Sequence, residues 1–187
     1  GLGAITFQWL RDGMSTGATG STYVLTQADV GKAITVVVRY TDGQGTVESK
    51  TSSATTVVAN VNDAPTGEVT IVGTAKEDET LTVEHNLDDA DGLGVIGYQW
   101  YADGEAIDGA NGDSLTLEQS HVGASITVEL RYTDGQGTEE MVGSEATGPV
   151  ANNNYAVSGE VTIDGLAAQG ETLEAYWDLY DADGFGE

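Results

Sequence analysis

SITVELRYTDGQGT, residues 125–138, is an alternating apolar run that ends in an Asp-Gly turn. Ile126, Val128, Leu130 and Tyr132 fall on one face of an extended chain, with polar residues between them, which predicts a half-buried β-strand. Its second half, LRYTDGQGT at 130–138, is a near copy of VRYTDGQGT at 38–46, a shift of 92 residues. GLGAITFQW at 1–9 returns as GLGVIGYQW at 92–100, a shift of 91. The one-residue difference is placed in the turn after Trp9 and Trp100. GEVTI at 67–71 returns at 159–163, and DADGLG at 89–94 returns as DADGFG at 181–186. Self-similarity at a fixed period is the mark of a repeat protein. Counted from NDAPTG, residues 62–153 make one whole repeat, 1–61 a repeat without its first strands, and 154–187 the first two strands of another. The chain reads as a window cut from a longer array.

Within the whole repeat, EVTIVG (68–73), ETLTVEHNL (79–87), VIGYQWYAD (95–103), DSLTLEQ (113–119) and SITVELRYTD (125–134) alternate as strands, and a last strand runs through about Val150. Asp103-Gly104 supplies a hairpin turn signal. Six or seven short strands in about 90 residues, with no amphipathic helical stretch, predict an all-β fold of tandem immunoglobulin-like (cadherin-like) antiparallel β-sandwiches. Trp100, and Trp9 in the first repeat, stand where that fold buries its core tryptophan. The chain has no cysteine, so packing alone must hold the core.

Charge narrows the partners. Six Lys+Arg against 31 Asp+Glu give a net charge of −25 and a pI near 4.1. Such a field repels nucleic acid and anionic membranes and attracts cations. No apolar run approaches the roughly 20 residues of a membrane helix, and the opening GLGAITFQWL lacks the basic start of a signal peptide.

The acidic residues concentrate in loops. In a sandwich of this kind, NDAP (62–65), DDADG (88–92) and TDGQG (133–137) gather at one pole, with Asp63, Asp88, Asp89, Asp91 and Asp134 around it. The loop TQADVG (26–31) of the preceding repeat would bring Asp29 within reach. Carboxylates crowded without a lysine or arginine repel one another. A hard divalent cation removes that repulsion, and Ca2+ takes six to eight oxygens from carboxylates, amides and backbone carbonyls. Asn62 can add an amide oxygen, and Pro65 stiffens the approach. The expected site is a Ca2+ clamp at the 62–65 junction, although Asp, Asn and Gly are also ordinary turn residues. It is not an EF-hand, because counting from Asp89 puts Trp100 where the twelfth-position Glu belongs. The next junction, NNNYAVSGEVTI (152–163), has Tyr155 for Asp63 and Val157 for Pro65 while keeping Asp181 and Asp183, which predicts weaker calcium binding or more flexibility.

The set NDAPTG, DADGLG, YQW and YTDGQGT resembles the extender repeats of giant bacterial surface adhesins and RTX-type exoproteins, often called cadherin-like or bacterial immunoglobulin-like domains. The resemblance covers the whole chain in one full and two partial copies. It implies secretion to the bacterial cell surface, a role in adhesion and biofilm attachment, and a stalk made rigid by Ca2+. Asp63, Asp89, Asp91 and Asp134 match the family's junction ligands, and Asp42, Asp181 and Asp183 match in the partial copies. The implied partners are neighbouring repeats of the same chain.

Other functions have thinner support. GMSTG (13–17) fits the G-x-S-x-G pattern but lies in a hairpin loop, and the second repeat has no serine there. His85 aligns with Trp177 and His121 with Asp29, so neither histidine repeats. No enzyme is expected. A carbohydrate-binding module could use Tyr23, Tyr101, Tyr155, Trp177 and Tyr180, but these do not recur as a set. A third reading joins copies end to end, because 154–187 carries the two strands that 1–61 lacks; strand complementation would then build a filament.

Overall fold

The computed structural model describes residues 3–184; the outermost residues of the GLGAITFQW and DADGFG copies lie outside them. It is an all-β protein of several antiparallel sheets, interrupted by two short 3-10 turns at Gln27–Asp29 and Gln119–His121. Its strands are β1 (Thr6–Arg11), β2 (Met14–Ser15), β3 (Ile34–Thr41), β4 (Val47–Thr51), β5 (Val69–Val72), β6 (Thr80–His85), β7 (Gly97–Ala102), β8 (Glu105–Ala106), β9 (Ser114–Thr116), β10 (Ile126–Thr133), β11 (Glu139–Gly143), β12 (Val161–Asp164) and β13 (Glu174–Trp177). They form four sheets, ordered β2-β1-β3-β4, β5-β6-β9, β11-β10-β7-β8 and β12-β13. Two compact units result. One holds the chain up to Thr66 with Asp88–Val95 and Tyr132–Glu140, and the other holds Gly67–Leu87, Ile96–Arg131 and the chain from Met141 on.

In the second unit, β5-β6-β9 and β7 with β10 share one apolar core, as in a β-sandwich. Val69, Leu81 and Leu115 come from the first sheet, and Trp100, Ile126, Val128 and Leu130 from the other. Trp100 is fully buried, and its indole N–H donates to the Gly112 carbonyl at 2.9 Å, so burial leaves no polar atom stranded. The first unit repeats this local geometry. Trp9 faces Val36 across β1 and β3, as Trp100 faces Val128, and its N–H donates to Gly20 at 2.9 Å. Asp12-Gly13 and Asp103-Gly104 both turn with positive φ, the type that matches strand twist. The extra residue of the second repeat therefore falls between Gly104 and Gly112.

The units also differ in part. Leu117 is fully buried, whereas its counterpart Leu25 is 51% exposed. Residues 22–24, the counterpart of β9, form no strand. Past β11 the ladder is carried by side chains. The Ser144 and Thr147 hydroxyls accept the N–H groups of Val128 and Ile126, as those of Ser52 and Thr55 accept Val36 and Ile34.

One substitution between repeats has a clear electrostatic cause. Asp29 is fully buried, and accepts from the Thr26 N–H at 2.8 Å, from Arg11 at 2.7 Å and from the Tyr23 hydroxyl at 3.0 Å. In the second repeat Ala102 and Leu115 stand at the positions of Arg11 and Tyr23. A carboxylate there would be buried without its cation. His121 takes the place instead, its Nδ1 accepting the Glu118 N–H at 2.9 Å. Burial alone would raise the Asp29 pKa, but the Thr26, Arg11 and Tyr23 donors outweigh it and bring it from 3.8 to about 2. A depressed carboxylate pKa stabilises the fold above its ordinary value and loses that contribution as pH falls toward the folded value. Denaturant melts over a pH series are expected to show stability falling from about pH 3.8 toward 2, and Asp29→Asn to lower the neutral-pH stability and flatten that fall.

Candidate metal centre

The site lies in the first unit, where the loop after β6 meets the loop after β10. Their approach is close enough to demand glycine. A Cβ on Gly135 would lie 2.6 Å from the Asp91 carbonyl oxygen, and one on Gly94 2.0 Å from that of Thr133. The Gly135 N–H donates to the carbonyls of Asp91 and Gly92, each at 3.1 Å, which ties the loops together.

This contact brings acidic groups into one place. One oxygen each from Asp89, Asp134 and Glu140 lie within 4.8 Å of one another. Asp89 and Asp134 are buried and Glu140 is half-buried. Asp89 accepts the Tyr132 hydroxyl at 2.5 Å on Oδ2 and the Asp91 N–H at 2.8 Å on Oδ1. Burial, and then the bond to Asp89, push the Tyr132 phenol up, so it stays a donor. Asp134 Oδ1 accepts the N–H groups of Gln136 at 2.8 Å and Thr138 at 2.7 Å. Burial would raise the Asp134 pKa, but the backbone N–H groups of Thr138, Gln136 and Gly137 hold it below its ordinary value, so the carboxylate is ionised at neutral pH. Its Oδ2 is buried with no hydrogen-bond partner. A buried anionic oxygen that no protein donor reaches is costly, and a cation is a partner that would satisfy it. The three groups that meet there offer carboxylate oxygens, which suit a hard ion. Asn60, in the preceding linker, carries a second buried acceptor without a partner, Oδ1.

The expected ligands divide into several roles. Asp91 is buried, yet both its oxygens are engaged: Oδ1 accepts from Gln27 Nε2 at 2.6 Å and Oδ2 from the Asp63 N–H at 2.8 Å. It joins three segments: the loop of the first repeat, the linker and its own loop. Asn62 is exposed, and its amide donates to Glu140 at 2.7 Å. Asp63 is exposed and meets Asp91 through its backbone. Asp42 stands outside the cluster, its Oδ1 accepting from the N–H groups of Gln44 and Thr46 in the geometry of Asp134. Asp181 and Asp183 belong to the second unit, where Asp181 accepts the Asp183 N–H at 3.0 Å as Asp89 accepts that of Asp91. Asp29 does not join the cluster, because Arg11, Tyr23 and Thr26 hold it inside its own repeat; Gln27, two residues earlier, reaches Asp91 instead. Glu140 was open to discovery, since Glu48 occupies the same slot in VRYTDGQGTVE.

No protein-family model matches the chain, and no curated protein matches it. Among the described residues no helix is long and apolar enough to cross a membrane.

Residues that orient metal ligands typically affect affinity about 10–100-fold. Gly135→Ala is expected to push the two loops apart and lower the cluster's affinity for a divalent cation by about that factor; Gly148→Ala, whose Cβ meets nothing within 4 Å and whose φ is not positive, controls for glycine replacement itself.

Proposed function

We propose that this chain is a stretch of tandem immunoglobulin-like, cadherin-like extender repeats from a secreted bacterial surface adhesin, with Ca2+ stiffening the junction at residues 60–63. Its repeats are 1–61, 62–153 and 154–187. Its work is mechanical and not catalytic: to span distance outside the cell and hold a distal binding region away from the surface, in adhesion and biofilm attachment. The observation that carries the reading is Asp134 Oδ2, buried and without a donor beside Asp89 and Glu140. Asp89, Asp134 and Glu140 would hold the ion directly, and Asp63 would add an oxygen from the linker. Asn62 would orient Glu140, and Asp91 would fasten the linker. Calcium fits better than magnesium, which demands a small octahedral shell and gives up its waters reluctantly.

The energetic logic is linkage. The ligands come from loops far apart in sequence, so only the folded arrangement assembles them. At a free calcium concentration 100 times the dissociation constant, such binding adds about 2.7 kcal/mol to stability. Without the ion, the net charge of −25 drives repeats apart.

End-to-end assembly of copies is the second reading, favoured by one specific observation. An open groove on the first unit is lined by Trp9, Tyr23, Leu25, Ile34 and Val57. The β12-β13 hairpin exposes Val161, Ile163, Tyr176 and Trp177. Small-angle scattering in calcium and in chelator, over a concentration series, separates the two readings. The stalk reading expects a longer, stiffer particle in calcium at every concentration, and no response from Asp134→Asn. Length that grows with concentration in either buffer would favour filaments, and no calcium response in the parent would overturn the clamp.

A further inference from the structure

Two linkers of one repeat family occur in this chain, and they are held by different chemistry. In both, a backbone N–H just after the asparagines caps the aspartate of the DADG loop. Asp63 N–H donates to Asp91 Oδ2 at 2.8 Å, and Tyr155 N–H donates to Asp183 Oδ2 at 2.7 Å. The side chains diverge. Tyr155 sends its hydroxyl to Asp78 Oδ2, which also accepts from Asn153 Nδ2 at 2.8 Å. The Asn153 N–H donates to Glu77 Oε2 at 3.1 Å, and Asn152 Nδ2 to Asp183 Oδ1 at 3.2 Å. Glu77 is itself buried, and the Gln119 amide nitrogen, once oriented to face acceptors, donates to both its oxygens at 3.0 and 3.1 Å. Asp78, Glu77 and Asp183 are each matched by a neutral donor from the linker or from Gln119.

The first linker lacks two of these donors, the Asn153 amide and the Tyr155 hydroxyl. Val61 stands at the position of Asn153 and is 82% exposed. Asp63 stands at the position of Tyr155, and an ionised carboxylate can only accept. Where the first linker carries a carboxylate, the second carries a hydroxyl donor. Tyr155 is therefore more than a lost ligand: its donor does for Asp78 what a cation would do for a bare carboxylate.

We propose that the junction at residues 152–155 is locked without a cation, by Tyr155 and Asn153 anchored on Asp78 and Glu77, so that the chain pairs a calcium-gated joint with a calcium-independent one. The gated half rests on the calcium reading above, while the locked half stands on its own hydrogen bonds. The sequence led us to expect a weaker or looser second junction; its side-chain network makes it the constitutively fixed one. A stalk so built would yield at chosen joints when calcium falls and keep its other joints set.

The chain has no cysteine, so paired spin labels can be placed at will. The exposed pair Lys50→Cys and Leu93→Cys reports on the first joint, and the exposed pair Glu105→Cys and Glu171→Cys on the second. Double electron–electron resonance on the full chain is expected to show the 50–93 distance distribution narrow in calcium and broad in chelator. The 105–171 distribution stays narrow in both. Tyr155→Phe combined with Asn153→Ala broadens it in both. A 105–171 distribution that broadens on chelation would overturn the proposal, as would one that stays narrow in the double variant. An unresponsive 50–93 pair would sink the calcium reading of the first joint, and the 105–171 pair would still decide the second.

Discussion

A buried carboxylate oxygen with nothing to accept from is the constraint around which this junction is organised. Asp134 Oδ1 is satisfied by its own turn, which fixes the side chain and leaves Oδ2 without a donor in a cluster with Asp89 and Glu140. The turn cannot swing away, because Gly135 is in backbone contact with the Asp91 carbonyl and any Cβ there would collide. Tyr132, from the end of the same strand, holds Asp89 in place. The loops thus deliver three acidic groups whose mutual repulsion the protein's own side chains do not cancel. Meanwhile Asp91 uses both oxygens to hold Gln27 and the linker. In the proposed clamp, holding the ion and holding the chain are separate tasks given to neighbouring aspartates.

The same scaffold supports a second solution. At Tyr155 a donor stands where the first linker has a carboxylate, and Asp78 and Glu77 become acceptors in a neutral network. The repeat keeps its backbone contact to the DADG aspartate in both places, so the difference is confined to two or three side chains. Asp29 and His121 show the same economy inside the repeat. Each accepts the N–H that starts a 3-10 turn, and the choice between them follows from whether an arginine is near.

Much of this was legible in the residues. Alternation in 126–132, the Asp-Gly turns and the paired tryptophans led directly to antiparallel strands with Trp100 in a sandwich core. The shift of 91 before the turn and 92 after it located the extra residue between Gly104 and Gly112. Asp89 and Asp134 were found because turn glycines sat beside them. Glu140 was missed because it lies on a strand, where a lone glutamate looks like a solvated side chain. Gln27 was passed over for Asp29, since charge alone cannot tell whether a nearby arginine has already claimed a carboxylate. Tyr132 was read as part of the apolar face, and its burial fits that; its hydroxyl bond to Asp89 depends on a loop 43 residues away. Partnerships across the fold, unlike periodicity, leave no local mark.

Terbium luminescence tests the central claim most directly, because Tb3+ takes the same oxygen ligands as calcium and Tyr132 sits one bond from the cluster, placed to sensitise it. The account predicts tyrosine-excited terbium emission that calcium displaces, that Tyr132→Phe dims, and that Asp134→Asn abolishes. Emission that Asp134→Asn leaves untouched, or that calcium cannot displace, would contradict a cation at Asp89, Asp134 and Glu140.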